Sequence, residues 1–204
     1  MQKAIALLSG GIDSPVAIHL LKPKLEIVAA HFHQRPLTDE KEIEKVKALV
    51  KALGLKKVYL IPFTEVLNEL VRKCNHRDYF ILQKISMFKA AEMIAAREKA
   101  VFLITGENLA QVSSQTLSNL VSITSDVSLE ILRPLLTFDK QQTINIAKEI
   151  NTYKISEGPE ICSLLGSKHP STKSKPDQIE EELKKIELSK LLEESLNKAE
   201  ILEF

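Results

Sequence analysis

Ala4-Ile5-Ala6-Leu7-Leu8 runs directly into Ser9-Gly10-Gly11-Ile12-Asp13-Ser14, and Pro15-Val16-Ala17 follows. The order is that of a buried strand entering a glycine-rich turn that opens a helix. Two adjacent glycines let backbone N–H groups converge on an anion, and the helix N-terminus adds its partial positive charge. Ser9 and Ser14 supply hydroxyl donors for phosphate oxygens. Asp13 repels bare phosphate, which suggests a bound Mg2+ or a role in orienting the loop. The plainer reading of a glycine pair is an ordinary strand-to-helix turn capped by Ser14.

Outward from this turn, strand-like apolar runs alternate with segments of helical period. Residues 25–32 read as a second buried strand, and a polar loop then leads into a helix from Asp39 to about Leu53. Ile43, Val46, Leu49 and Val50 share one face of that helix, and Gly54 ends it. Residues 57–61 give a third strand, 64–73 and 79–97 two helices, 100–104 a fourth strand, 130–133 a fifth, and 139–150 a helix. Strands separated by helices predict an α/β fold, doubly wound, with a mostly parallel five-stranded sheet and helices on both faces. Ligands in such sheets sit at the carboxyl ends of strands, where Ser9, His31-Phe32 and Gly106-Glu107 all fall.

Residues 152–176 lose the pattern and read as a loop, with Gly158, Pro159, Gly166 and Pro170. Residues 177–204 read as an amphipathic helical extension of one or two helices, with Ile179, Leu183, Ile186, Leu191, Leu192 and Leu196 apolar. That face is expected to pack on the sheet or on a second copy, in a homodimer. The division is therefore a main domain over 1–176 and a tail over 177–204.

The apolar stretches are strand-length, so no membrane span is expected, and Met1-Gln2-Lys3 lacks the polarity of a signal peptide. A cytoplasmic protein is the expectation. Two cysteines, Cys74 and Cys162, exclude a disulfide framework and, within one chain, a four-thiolate metal or iron–sulfur site. The net charge of +1 conceals a division, because the tail carries nine acidic and four basic side chains. The remainder is mildly positive, compatible with RNA contact but too weak to argue for it.

The string 106–120, Gly106-Glu107-Asn108-Leu109-Ala110-Gln111-Val112-Ser113-Ser114-Gln115-Thr116-Leu117-Ser118-Asn119-Leu120, is too polar for a core helix. Its residue types are too ordered for a random loop. The SGGIDSP turn after a hydrophobic strand resembles the PP-loop of the ATP pyrophosphatases. Taken with HFH (31–33), ILRPLLTFDK (131–140) and PEIC (159–162), the chain resembles the PP-loop domain of the ThiI family. These are the tRNA 4-thiouridine synthetases, or tRNA sulfurtransferases, and the likeness covers roughly residues 3–175.

The resemblance implies an adenine nucleotide alpha-hydrolase-like fold and a site for ATP with Mg2+. Leu7 and Leu8 would line the adenine pocket through backbone contacts, and Ser9, Gly10, Gly11, Asp13 and Ser14 would hold pyrophosphate. His31 and Phe32 would flank the adenosine. Gly106 would let the backbone approach the nucleotide closely, and Gln115 would contact it by its amide. Where the family has an arginine pair, this chain has Gln83-Lys84, so Lys84 is the candidate cation, without a planar fork for bidentate contact. Lys140 matches a lysine that the family uses near the phosphates, where a cation offsets developing charge. Each has a plainer role: His31 half-buried, Phe32 in the core, Gln115 a helix cap, Lys84 and Lys140 solvated, Asp139 a helix cap.

Cys162 matches the family cysteine that takes part in sulfur transfer. Lys168, His169, Lys173 and Lys175 downstream could stabilise a thiolate, and the lysines could meet RNA phosphate. The implied reaction is ATP-dependent adenylation of a uridine carbonyl oxygen in tRNA, followed by sulfur transfer. Cys162 would either carry a persulfide or attack one held by a separate donor, a cysteine desulfurase or rhodanese-type protein. Cys74 has no matching motif and is read as structural. Full-length family members have an N-terminal tRNA-binding region, and some have a rhodanese domain, neither of which the sequence matches. Three other readings therefore stand: an ATP-binding subunit with a separate tRNA-binding partner, an amidating pyrophosphatase of small molecules, and sulfur supply for the thiamine thiazole.

Overall fold

The computed structural model describes residues 1–109, 112–158 and 165–204. β1 (Lys3–Leu7), β2 (Glu26–His33), β3 (Lys57–Pro62), β4 (Phe102–Ile104) and β5 (Glu130–Leu132) pair in parallel. A sixth strand, β6 (Glu200–Glu203), lies antiparallel on β3, and the order across the sheet is β5-β4-β1-β2-β3-β6. The five parallel strands are those predicted. The sixth is a correction: the tail begins as helix but ends as a strand, because its last apolar residues close the otherwise open edge of β3.

The helices are α1 (Asp13–Leu21), α2 (Glu40–Ala52), α3 (Thr64–Lys73), α4 (Tyr79–Glu98), α5 (Leu117–Thr124), α6 (Lys140–Glu149), α7 (Tyr153–Ser156), α8 (Pro176–Leu183) and α9 (Leu188–Asn197). Their boundaries follow local chemistry. Asp39 accepts a hydrogen bond from the Lys41 N–H at the head of α2, and Gly54 takes φ +58° just beyond its end. Asp139 and Gln142 form a reciprocal capping box on α6.

Side chains of the sheet alternate between two cores. Val28, Ala30 and Phe32 of β2 face α3, α4, α5 and α9, while Ile27 and Ala29 face α1, α2 and α6. Ala4, Ala6, Ala29 and Ala30 are small and fully buried, which lets helices press closely on both faces. The tail docks on its own sheet: Ile179, Ile186, Leu192 and Leu196 are buried in the first core, each contributing about 2 kcal/mol.

At the amino end of the sheet, Glu98 gathers Lys57 at 2.7 Å, the Tyr59 hydroxyl at 2.6 Å and Lys3 at 3.2 Å. Burial raises its pKa, but the hydrogen bonds from Lys57, Tyr59 and Lys3 outweigh it and hold the carboxyl at about 2. Since ligands of such sheets bind at the opposite, carboxyl end, this perturbed cluster is a structural clamp.

Candidate nucleotide site

β1 has β2 on one side and β4 on the other, so chain direction across the sheet reverses at β1. Such a switch point opens a crevice at the strands' carboxyl ends. Residues 9–12 lie there, and α1 begins at Asp13 with Ile12 as its cap and no side-chain capping bond. The first-turn amides of α1 thus keep their polarity for an outside acceptor.

The two serines of the turn bond to one another. The Ser14 hydroxyl oxygen accepts the Ser9 N–H at 2.9 Å and lies 3.2 Å from the Ser9 carbonyl, to which it donates. The two hydroxyls are 3.0 Å apart, and Ser9 Oγ accepts the Gly11 N–H at 3.3 Å. Sequence reasoning assigned these hydroxyls to phosphate, whereas here they brace the loop that would present its amides. Gly10 and Gly11 are not among the residues with positive φ. Gly10 instead admits the Lys45 side chain, whose Cδ lies 3.0 Å from where a Cβ would sit.

Gly106 follows β4 and lies against the start of α1. A Cβ there would stand 2.7 Å from the backbone carbon of Asp13 and 2.7 Å from the Ser14 nitrogen. The expectation at this glycine was close backbone approach to the nucleotide; what a Cβ would meet here is the backbone of Asp13 and Ser14. Asp13 in turn meets Lys140, the first residue of α6, whose Nζ lies 3.1 Å from Oδ1 and 3.3 Å from Oδ2. Asp139 caps α6, which aims Lys140 at that carboxylate.

β2 contributes differently from expectation. His31 is 3% exposed and lies on the α2 side, with Nδ1 donating to the Leu8 carbonyl at 2.9 Å and Nε2 facing Glu42 at 3.5 Å. Leu8 also donates its N–H to Ala30, so both its backbone groups are occupied. Burial raises the Glu42 pKa, but the His31 ring and the Thr38 hydroxyl outweigh it and leave the carboxyl below its usual range. Phe32 points to the opposite face and packs edge-on against Phe63 at 4.8 Å, in the core. The rings of His31 and Phe32 therefore lie on opposite faces of the sheet.

Gln115 ends a short 3-10 turn before α5, and its buried Oε1 has no hydrogen-bond partner among the described residues. Such an orphaned acceptor fits an amide poised for a ligand donor. Lys84 lies on α4 with Nζ 3.7 Å from Glu107, which also receives the Arg133 Nε at 2.9 Å. Sequence reasoning placed Glu107 at the ligand end of β4 but gave it no role, and it did not single out Arg133; the polar density of 106–120 was the available signal.

Cys162 lies outside the described residues. Ser156, six positions before it in sequence, donates its hydroxyl to the Gly11 carbonyl at 3.2 Å, and Lys45 donates to the Glu157 carbonyl at 3.1 Å. Lys168, Lys173 and Lys175 are exposed along a strap that ties down at Ser174, buried and bonded to Asn119 and Ser122. The loop predicted over 152–176 thus contains α7 and a pinned strap. Cys74 donates its thiol to the Glu182 carbonyl at 3.3 Å, and burial with the nearby Glu182 charge pushes its pKa up. Among the described residues, no helix is long and apolar enough to cross a membrane.

The family model described as thiamine biosynthesis protein (ThiI) matches residues 1–188. A probable tRNA sulfurtransferase of Acetivibrio thermocellus is 39% identical over 207 residues, spanning 98% of this chain and 53% of that protein. One from Moorella thermoacetica gives the same identity and coverage. The chain spans about half the length of the curated relatives it matches. A 4-thiouridine synthetase solved in complex with RNA and bound ATP superposes with a TM-score of 0.93 at 36% identity, covering 98% of this chain and 55% of that one. NMN synthetase from Francisella tularensis, at 16% identity and a TM-score of 0.62, shares the fold.

Proposed function

Because the chain belongs to the ThiI family, we propose that it uses ATP to adenylate a uridine carbonyl oxygen in tRNA, which sulfur then replaces to give 4-thiouridine. The observation that carries the reading is the convergence at the switch point, where Gly106 packs on Asp13 and Ser14 and Lys140 reaches Asp13. Three separate segments meet at one helix N-terminus, the arrangement a triphosphate needs. The relative solved with RNA and bound ATP supports the choice of ligand.

Uridine O4 attacks the α-phosphorus, and pyrophosphate leaves with the electron pair of the broken P–O bond. The braced loop and first turn of α1 hold that leaving group by their amides, while Lys140 offsets charge on the transferring phosphate. Mg2+ fits as a partner of the Asp13 carboxylate together with phosphate oxygens, which is how it is usually held. Among the described residues no cluster of three His, Cys, Asp or Glu side chains could hold a metal, so the nucleotide would supply most of its ligands. Adenylation makes O4 a good leaving group; the outer sulfur of a persulfide then attacks C4 and AMP departs, after which a second thiol attacks the carrier sulfur, so that the S–S bond breaks, a disulfide forms and the thiocarbonyl sulfur stays on the uridine.

Cys162 is the residue proposed to handle that sulfur, either as the persulfide carrier or as the thiol that attacks a donor's persulfide. The Ser156–Gly11 hydrogen bond supports this, since it fastens the chain shortly before Cys162 to the phosphate-binding loop. Lys168, Lys173 and Lys175 are proposed RNA phosphate contacts on the strap beyond it. The test is incubation with ATP, Mg2+, unmodified tRNA and a persulfide donor, reading pyrophosphate release and nucleoside mass. Pyrophosphate release with tRNA and a thiolated uridine are expected; release with neither tRNA nor sulfur dependence would sink the reading.

A further inference from the structure

Glu107 is a carboxylate that the proposed chemistry does not call for, buried to 1% exposure beside a site for a polyanion. A buried charge needs partners, and it has two: Arg133 from the end of β5, hydrogen-bonded through Nε to Oε2, and Lys84 from α4 near Oε1. The two contacts differ in kind. The Arg133 contact, at 2.9 Å with the Arg133 side chain 15% exposed, is a fixed anchor. The Lys84 contact, at 3.7 Å, lies beyond hydrogen-bond distance, and Oε1 has no hydrogen-bond partner among the described residues. The ammonium is drawn toward the carboxylate yet keeps its protons available. Glu107 also follows Gly106, whose backbone is locked against Asp13 and Ser14, so its position is fixed relative to the phosphate loop.

Resting on the nucleotide reading above, we propose that Glu107 is a positioning residue that holds Lys84 in place to meet ATP, with Arg133 fixing Glu107 in turn. This runs against simple electrostatics, by which deleting a carboxylate near a triphosphate should tighten binding. The sign of the effect therefore discriminates. Glu107→Gln should weaken ATP binding about tenfold, roughly one charge-assisted hydrogen bond. In a Lys84→Met background the same substitution should change nothing further, because the residue it acts through is gone.

The experiment is calorimetric titration with ATP and Mg2+ of the wild-type chain, Glu107→Gln, Lys84→Met and the double variant. Affinity lost in each single variant, with the double no weaker than Lys84→Met, is the expected result. Equal or tighter binding by Glu107→Gln, or losses that multiply in the double variant, overturns the role of Glu107 while leaving the nucleotide site intact. A wild-type chain that binds no ATP overturns the nucleotide reading and this role with it. If Glu107→Gln fails to fold because Arg133 is stranded, Arg133→Met is compared with Arg133→Met/Glu107→Gln. The same loss is expected between them, and its absence is the overturning result.

Discussion

Lys140 Nζ lies 3.1 Å from Asp13 Oδ1 across a sequence separation of 127 residues, joining the first residue of α6 to the first residue of α1. The pair is half in solvent, with side chains 51% and 28% exposed, so it contributes little to folding, about 0–1 kcal/mol. Two charges at adjoining helix N-termini call for a reason other than stability, and the triphosphate proposed above would supply one. Lys140→Met should leave the melting temperature within a few degrees of wild type yet slow pyrophosphate release about a hundredfold or more. Asp13→Ala should abolish the release. A Lys140 variant that melts early and reacts normally would assign the pair to the fold instead.

Gly106→Ala places a methyl 2.7 Å from the backbone of Asp13 and Ser14, where neither neighbour is a side chain that can swing aside. One of the two segments must move. The expected cost is about 1–3 kcal/mol in stability, together with a loss of ATP affinity, because the displaced segment is the phosphate loop or its support. Chemical denaturation and ATP titration of the variant check both halves. Unchanged values in both would mean that the two backbones do not press together as described.

Residue 33 gives a pH dependence of stability that is independent of any ligand. Burial, and then the positive charges of Arg35 and His31, bring the His33 pKa from 6.5 to about 4, against the weaker pull of Glu42 and Glu40. Nδ1 accepts the Arg35 N–H at 3.4 Å, which suits a neutral ring. Between pH 6.5 and 4 the unfolded chain takes up a proton that the folded chain refuses. The unfolded state therefore binds more protons, and stability is full above 6.5 and lost as pH falls toward 4. Melting temperatures of wild type and His33→Gln across that window should diverge, with the shallower fall in the variant. Parallel curves would contradict the low pKa.

The parallel strands and the glycine-rich turn into α1 were legible because each rests on local signals: apolar runs of strand length, glycines at a turn, capping residues before helices. The sixth strand was not. Glu200-Ile201-Leu202-Glu203 has no pattern to separate it from the amphipathic helix before it, and only the open edge of β3 makes it a strand. The resemblance set His31 and Phe32 together beside the adenosine, yet successive residues on a strand face opposite sides, so one side chain joins Glu42 and the other the Phe63 core. Glu107 was placed at a strand end but given no role, because its partners arrive from α4 and the end of β5, remote in sequence, and nothing local marks a glutamate as buried. Ser14 was read as a ligand donor because the motif fixes its position but not the acceptor its hydroxyl finds first.

The two cysteines should separate cleanly in function. The Cys74 thiol donates to a carbonyl, is half-buried, and has its pKa raised by burial and by Glu182, so it is a poor nucleophile at neutral pH. Cys74→Ser should keep both pyrophosphate release and thiouridine formation, with at most a modest stability change, because a hydroxyl can donate to the same carbonyl. Cys162→Ala should leave ATP-dependent adenylation measurable and abolish thiolation, since activation of O4 precedes and does not require the sulfur. Mass analysis of tRNA nucleosides, run beside a pyrophosphate assay on each variant, reads both steps. Thiouridine formed by the Cys162 variant would remove that residue from the chemistry, and its loss in the Cys74 variant would move the sulfur-handling role to the surface where α3 meets α8.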